Sequence, residues 1–180
     1  MAKGVPAIVL AAGASSRLGQ PKALVKWKDE SLVSRSTRIL SESGCSPIIV
    51  VTRSELQVDV MLECNGAIVV VNPSPEEGRT GSLQIGLVSL MSELGRTPRR
   101  VLVSPVDRCG WTLDTVNVLM ECNENTSPSP SGHPLMLCDV EKILSLPKDA
   151  SLRDSITISK ISAPGEHMNI DTPGDLEALR

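Results

Sequence analysis

A loop of small residues carrying two basic side chains follows the first apolar run of the chain. The segment LAAGASSRLGQPK leads from a buried-strand pattern to Arg17 and Lys22. Backbone N–H groups of small residues can close around phosphate oxygens, and the two cations can balance phosphate charge. The pattern predicts a nucleotide-binding loop whose contacts come from the backbone of 10–13 and from the two basic residues. Its members are Leu10, Ala11, Ala12, Gly13, Arg17 and Lys22. A structural turn is the competing interpretation.

The spacing of this loop differs from the two best-known phosphate-binding loops. Five residues separate Gly13 from Gly19, and Lys22 follows three positions later, so the Walker pattern GxxxxGK[ST] is absent. The dinucleotide pattern GxGxxG is absent as well. The loop must therefore bind phosphate in another way, and a dehydrogenase is disfavoured.

An aspartate follows another apolar run, in the segment Ser104-Pro105-Val106-Asp107. Ligands of open α/β sheets bind at the carboxyl ends of the strands, where both Asp107 and the first loop are expected. A carboxylate oxygen at that edge suits Mg²⁺, which takes one or two carboxylates plus substrate phosphates and water. Asp107 is the predicted metal ligand, with turn formation as the alternative role of an isolated aspartate.

Apolar runs at 7–11, 47–52, 67–71 and 100–104 are typical of strands buried on both faces. Helical patterns lie between them, and the clearest has leucines at 83, 87, 90 and 94. The alternation predicts one domain over residues 1–180: a three-layer α/β/α fold with a mainly parallel sheet.

Gly81 and Ser82 stand at the start of that strongest helix, where free backbone N–H groups suit a nucleotide; a plain helix cap is the alternative. Near the end of the chain, Thr172-Pro173-Gly174-Asp175 is a helix-start pattern. Asp171 precedes it and is either a second metal ligand or a helix-capping acid.

Several motifs together resemble the MobA-like nucleotidyltransferases, the family of the molybdenum cofactor guanylyl- and cytidylyltransferases. LAAGASSRLGQPKAL resembles its signature LA[GA]GxSxRMGxxKxLL, with Leu18 in place of Met. Later segments resemble GxxxSLxxGL (78–87), the PxD aspartate (Asp107), GHPVLF (132–137) and the terminal DIDTPEDL (169–176).

The resemblance implies the nucleotidyltransferase (nucleotide-diphospho-sugar transferase-like) version of the α/β/α fold. It also implies metal-dependent transfer of a nucleotide from an NTP to a phosphorylated acceptor, with release of pyrophosphate. Mg²⁺ or Mn²⁺ is the implied cofactor. Arg17, Lys22 and Asp107 are the implied catalytic residues, and Asp107 and Asp171 the implied metal ligands. Ala12 and the GHP element favour CTP and molybdopterin, with a client molybdoenzyme as a candidate protein partner. GTP or a sugar phosphate as substrate, and a nucleotide-binding module without catalysis, are the alternatives.

Two segments depart from the family pattern. Cys109-Gly110-Trp111 replaces the region where the family has a proline, two residues after the aspartate. Relatives also have another strand and a basic turn before the GHP element, whereas this chain has NENTSPSPS at 123–131. We expect an exposed loop there, no strand between 120 and 135, and a shortened acceptor pocket.

Composition excludes several classes of protein. The chain has a net charge of −3, and it contains two tryptophans but no phenylalanine or tyrosine. Both features argue against nucleic acid as the main partner. Five scattered cysteines, with no CxxC pair, predict reduced thiols rather than zinc ligands or disulfides. The chain shows no secretory leader pattern and no apolar run of the length that a membrane span needs. A cytoplasmic enzyme without a membrane partner is therefore expected, and His133 and His167 receive no chemical role.

Overall fold

The computed structural model describes residues 4–179, which contain one large sheet, a small hairpin and helices on both sides of the sheet. The strands of these residues are β1 (Ala7–Ala11), β2 (Lys26–Trp27), β3 (Glu30–Ser31), β4 (Ile48–Thr52), β5 (Ile68–Val71), β6 (Val101–Pro105), β7 (Thr126–Ser129), β8 (Leu135–Leu137) and β9 (Ser159–Ser162). The α-helices are α1 (Leu32–Glu42), α2 (Gln57–Glu63), α3 (Arg79–Leu94), α4 (Leu113–Met120), α5 (Val140–Leu144), α6 (Leu152–Ser155) and α7 (Pro173–Glu177).

The large sheet has the strand order β5-β4-β1-β6-β8-β7-β9, and β2 and β3 form the separate hairpin. β1 lies between β4 and β6 and is parallel to both, and β5 is parallel to β4. β8 is antiparallel to β6 and to β7, while β9 is parallel to β7. The predicted mainly parallel sheet is confirmed, and it brings the carboxyl ends of β1 and β6 side by side.

Alternate residues of β1 belong to two separate apolar clusters, one on each face of the sheet. Ala7 and Val9 pack with the buried residues of α1 and α4. Ile8 and Leu10 pack with those of α3 and α5. Period-two alternation in a strand covered on both faces produces this division, and it makes the three layers that the sequence predicts.

The helix ends follow the chemistry of their residues. Ser31 caps α1, accepting a hydrogen bond from the amide of Ser34 at 3.2 Å. Gly95 ends α3 with a φ of 68°, a left-handed conformation that glycine adopts at low cost. Of the predicted stripe on α3, Leu83, Leu87 and Leu90 are buried.

The prediction for 123–131 is wrong. Thr126–Ser129 form β7, three of whose four residues are buried, and this strand lies between β8 and β9. Its polar side chains are satisfied locally: Ser127 donates to the carbonyl of Gly132 at 3.0 Å, and Thr126 donates to that of Glu124 at 2.8 Å. A buried strand built from Thr, Ser and Pro has no apolar period to signal it.

Three of the five cysteines are buried, and all five are unpaired in the structure. Burial raises the pKa of Cys45 to about 12 and those of Cys64 and Cys109 to about 11, which keeps these thiols protonated. Within residues 4–179, every helix is too short or too polar to cross a lipid bilayer.

Candidate functional site

The loop after β1 folds around Ser15. Ser15 has a φ of 54°, its carbonyl accepts hydrogen bonds from the amides of Leu18 and Gly19, and its hydroxyl accepts one from the amide of Lys22 at 3.1 Å. Leu18 is buried in the core and anchors the loop from below. Arg17 lies on the exposed side, so the loop presents one cation to solvent and holds the other, Lys22, toward the sheet.

Lys22 contacts two carboxylates. Its ammonium nitrogen lies 3.2 Å from Oδ2 of Asp107 and 2.6 Å from Oδ1 of Asp171. Arg17 forms an ion pair with the other oxygen of Asp171. The hydrogen bond from Lys22 is the main cause that lowers the pKa of Asp171, and the charge of Arg17 adds to it. The loop after β1 and the acid after β6 therefore converge on one point, as the sequence indicates.

Asp107 is almost fully buried, at 7% exposure, directly beyond the end of β6. Its backbone is held on two sides: Val106 donates to the carbonyl of Leu10 at 3.1 Å, and Ile170 donates to that of Asp107 at 2.9 Å. Oδ1 of Asp107 is buried and has no hydrogen-bond partner within residues 4–179. An unsatisfied buried carboxylate oxygen is costly unless a ligand supplies its partner.

The segment before α7 supplies Asp171 and fixes it. The carboxylate of Asp175 accepts hydrogen bonds from the amides of Asp171 at 2.9 Å and Thr172 at 2.7 Å. These bonds lower the pKa of Asp175. The capping role that the sequence left open for Asp171 thus belongs to Asp175, and the Asp171 carboxylate faces the two cations of the loop.

Asn169 is a site residue that the sequence analysis missed. It lines the same cavity, and its side-chain oxygen is buried without a partner in the described part of the chain. The available signal was its position in the segment 169–176, where the family pattern begins with an aspartate. Asp107 and Asn169 therefore each have a side-chain oxygen without a hydrogen-bond partner among the described residues, and Asp171 lines the same cavity.

This donor set fits a hard divalent cation. Carboxylate and amide oxygens are ligands that Mg²⁺ and Mn²⁺ accept, with phosphates and water completing the shell. Residues 4–179 contain no cluster of three or more His, Cys, Asp or Glu side chains placed to hold a metal.

A cavity of about 510 Å³ opens in front of these groups, within the range of small-molecule sites. Leu10, Ala11, Ala12 and Gly13 line it. Its remaining lining residues are Ala14, Ser15, Ser16, Arg17, Lys22, Ala23, Leu56, Pro75, Arg79, Ser82, Pro105, Val106, Asp107, Arg108, Asn169 and Asp171. Four cations and two carboxylates face the cavity, which is therefore positive although the whole chain carries −3.

The start of α3 differs from the prediction in one respect. The amide of Gly81 donates to the carbonyl of Lys148 at 3.1 Å, so it is engaged within the protein and not directed at a ligand. Ser82 lines the cavity, and its hydroxyl oxygen accepts a hydrogen bond of 2.9 Å from the buried Asn72. Since that oxygen is already an acceptor, the hydroxyl proton of Ser82 is left for another partner.

The sequence model of the MobA-like NTP transferase domain matches residues 7–155. The chain belongs to this family. The match includes the loop, the start of α3 and Asp107, and it ends before Asn169 and Asp171.

Three curated proteins show the range of names among MobA-like relatives. The chain is 30% identical over 118 residues to nicotine blue oxidoreductase of Paenarthrobacter nicotinovorans, covering 64% of this chain and 55% of that protein. It is 36% identical over 84 residues to a bifunctional IPC transferase and DIPP synthase of Thermococcus kodakarensis, covering 44% and 19%. It is 37% identical over 59 residues to a probable molybdenum cofactor guanylyltransferase of Opitutus terrae, covering 33% and 29%. The matched segments thus span between a fifth and about half of these relatives.

Solved structures extend the MobA-like fold over the described chain. Rv0371c of Mycobacterium tuberculosis H37Rv superposes with a TM-score of 0.78 at 20% identity, covering 99% of this chain and 98% of that one. A complex of the same protein with manganese has a TM-score of 0.75 at 18% identity, covering 98% and 97%. At these identities the likeness shows the fold, which includes the strands β7 to β9.

Proposed function

We propose that this protein transfers a nucleoside monophosphate from an NTP to a phosphorylated acceptor and releases pyrophosphate. One observation carries the proposal: Lys22 of the loop after β1 and Asp107 beyond β6 are in contact at one positively charged cavity. The pair supplies a phosphate-binding cation and a metal-binding carboxylate at the same place. Membership of the MobA-like family supports the same reaction class.

Arg17 and Lys22 bind the triphosphate in this proposal. Both are paired with carboxylates in the structure, so each exchanges a carboxylate oxygen for a phosphate oxygen when the nucleotide enters. The small side chains of 11–14 let the nucleotide approach the loop backbone closely. Gly13 has no atom within 4 Å of the place where a Cβ would lie, which leaves room above it.

Asp107, Asn169 and Asp171 would hold the divalent cation, Mg²⁺ or Mn²⁺. When bound, it would neutralise negative charge on the phosphates and on the departing pyrophosphate. The manganese complex of Rv0371c supports a divalent cation in this fold.

The reaction needs no covalent nucleophile from the protein. An oxygen of the acceptor phosphate forms a bond to the α-phosphorus, the bond from that phosphorus to the bridging oxygen of the β-phosphate breaks, and pyrophosphate leaves with the electron pair. Positioning and charge stabilisation supply most of the catalysis in transfers of this kind. The chain's contribution is to hold the triphosphate by two cations and to exclude bulk water from the part of the cavity lined by 10–13.

CTP and molybdopterin are the favoured substrates. Ala12 in the LAAG sequence and the GHP element at 132–134 support the cytidylyl choice. A relative named as a molybdenum cofactor guanylyltransferase supports the acceptor, and it also keeps GTP as an alternative. The relative named IPC transferase keeps other phosphorylated acceptors open. A cytoplasmic location, a single domain over 1–180 and a client molybdoenzyme that receives the product belong to the same proposal.

A screen of the common NTPs with Mg²⁺ or Mn²⁺ against molybdopterin and sugar phosphates tests the proposal, with pyrophosphate as the readout. Release with one NTP–acceptor pair, lost in Asp107→Asn, supports it. Nucleotide binding without pyrophosphate from any pair would instead indicate a binding module. Because one relative is named an oxidoreductase, the same preparation is assayed for oxidation of NADH and NADPH. Redox turnover without transferase activity would reject the proposal.

A further inference from the structure

Arg79 and Arg108 line the cavity, and neither forms an ion pair with any residue from 4 to 179. Arg17 and Lys22 differ, because Asp107 and Asp171 already balance them. An NTP with its divalent cation engages Arg17, Lys22 and the two carboxylates. The two remaining arginines still face the cavity without a counter-charge, which indicates a second anionic ligand.

Two more basic side chains lie near these arginines, around the buried His133. Burial lowers the pKa of His133 to about 3, helped by the positive charges of Arg108, Arg153, Arg79 and His167. No acidic group is among these causes. The positive charges that act on His133 thus come from four segments: the start of α3, the turn after β6, α6 and the irregular stretch before Asn169. We call Arg79, Arg108, Arg153 and His167 the basic cluster.

The turn that carries Arg108 is rigid. The buried indole of Trp111 donates to the carbonyl of Arg108 at 2.7 Å, and the amide of Arg108 donates to that of Pro105 at 3.2 Å. An Nη1 atom of Arg108 lies 3.1 Å from Nε2 of His167. Since Arg108 directly follows Asp107, its guanidinium is placed beside the proposed metal ligand.

Close backbone contacts hold the other members in place. The amide of Glu166 donates to the carbonyl of Gly110 at 2.8 Å. A Cβ on Gly110 would lie 2.1 Å from the carbonyl oxygen of Glu166, so only glycine allows these two segments to approach so closely. This contact brings His167 to Arg108. On the other side, Thr80 donates to the carbonyl of Ala150 at 2.7 Å, which ties the start of α3 to the segment before α6.

We infer that the basic cluster binds the phosphate group of the acceptor, with Arg79 and Arg108, which line the cavity, as the charged contacts. The inference rests on the proposed transferase function and names the ligand chemistry of its acceptor side: a phosphate monoester. Guanidinium groups suit this ligand because they bind phosphate oxygens in pairs.

Calorimetric titration of inorganic phosphate tests the inference, with and without a saturating non-hydrolysable α,β-methylene CTP and Mg²⁺. Wild-type protein holding the analogue binds phosphate. Arg79→Gln and Arg108→Gln each weaken phosphate binding about tenfold or more, which is the loss of one charge-assisted hydrogen bond. Arg108→Lys keeps the charge and restores part of the affinity. The matched control is Arg96→Gln, an exposed arginine outside the cluster, which leaves the affinity unchanged.

The affinity for the nucleotide analogue separates the two sources of phosphate. It stays within about threefold of wild type in Arg79→Gln and Arg108→Gln if the cluster serves the acceptor. Equal losses for the analogue and for phosphate would assign the cluster to the NTP and overturn the inference. If wild-type protein binds the analogue but no phosphate, the inference is wrong and the proposed function is unaffected. If wild-type protein binds neither ligand, the proposed function is wrong as well. Thermal midpoints confirm that each variant is folded.

Discussion

The ammonium nitrogen of Lys22 lies 2.6 Å from Oδ1 of Asp171, across 149 positions of the chain. The exposed fraction of both side chains is below one fifth, 15% for Lys22 and 19% for Asp171. Solvent therefore screens this pair less than an ordinary surface ion pair. Lys22 occupies the space between the two carboxylates that are proposed to hold a divalent cation, so the cation and the ammonium compete for the negative charge of the same two side chains.

Lys22→Met separates these two roles of the lysine. With the ammonium gone, Asp107 and Asp171 repel each other and attract a divalent cation more strongly, so Mn²⁺ binding without nucleotide becomes tighter. Turnover falls by about 100-fold or more, because one phosphate contact that stabilises the transition state is lost. Titration of Mn²⁺ followed by electron paramagnetic resonance measures the first effect, and pyrophosphate release measures the second.

The control for this change is Lys142→Met, which removes an exposed lysine from α5. It leaves Mn²⁺ affinity and turnover at wild-type values. The thermal midpoint of Lys22→Met should also rise more on addition of Mn²⁺ than that of wild type, since the ion replaces the missing positive charge. Unchanged Mn²⁺ affinity in Lys22→Met would show that the ammonium does not compete with the cation.

Asp107→Asn keeps the shape of the side chain and removes its charge. The buried Oδ1, which lacks a partner in the described residues, is the oxygen proposed to bind the cation. We expect Mn²⁺ affinity to fall and turnover to drop by at least about 100-fold, with the fold retained because Lys22 keeps Asp171 as its partner. Asp114→Asn, an exposed acid at the start of α4, is the control. Turnover within a few-fold of wild type would remove Asp107 from the metal site.

The sequence predicts the nucleotide side of this molecule better than the acceptor side, for a physical reason. The strands β1, β4 and β6 are buried and the edge strand β5 is half-buried. All four consist mainly of Val, Ile, Leu and Ala, and their apolar runs mark them within a residue or two. β7 is stabilised by the hydrogen bonds of Ser127 and Thr126 and by its two neighbours, which depend on tertiary structure. The amino-acid composition of 126–129 does not indicate these tertiary contacts.

The same distinction applies to the site residues. Arg17, Lys22 and Asp107 stand in recognisable segments next to strand ends, so their meeting follows from parallel topology. Asn169 and the basic cluster come from segments with no regular pattern of their own. Their position depends on contacts such as that between Gly110 and Glu166, which no periodicity reveals.

Gly86 allows α3 to pack directly on the sheet. A Cβ at this position would lie 2.8 Å from Cγ2 of Ile8 and 3.1 Å from Cγ2 of Val51, two side chains that are fully buried. Alanine in a helix is favoured over glycine by about 1 kcal/mol, but overpacking a core costs about 1–3 kcal/mol. Gly86→Ala should therefore lower the free energy of unfolding by about 1 kcal/mol.

Gly81→Ala is the matched control for that measurement by urea unfolding. An added Cβ there lies 3.3 Å from the Cβ of the exposed Lys148, so a shift of that segment by a few tenths of an ångström relieves the contact. Stability should stay equal to wild type or rise slightly through helix propensity. If both glycine variants lost the same stability, backbone effects in α3 and not the contact with Ile8 would be responsible.

His133 makes the stability of the fold depend on pH. Its pKa is lowered from 6.5 to about 3, first by burial and then by the positive charges of Arg108, Arg153, Arg79 and His167. Above pH 6.5 the histidine is neutral in both folded and unfolded chains, and its full contribution to stability is present. Below that pH the unfolded chain binds the proton first, so stability decreases as the pH falls toward about 3.

From pH 6.5 to 5 the loss of stability amounts to about 2 kcal/mol at most. His133→Gln should lose less stability than wild type over this interval when both are unfolded in urea. His167→Gln, which removes only the smallest of the charge effects on His133, should stay close to wild type. Parallel curves for wild type and His133→Gln would mean that His133 is protonated in the folded protein as readily as in the unfolded chain.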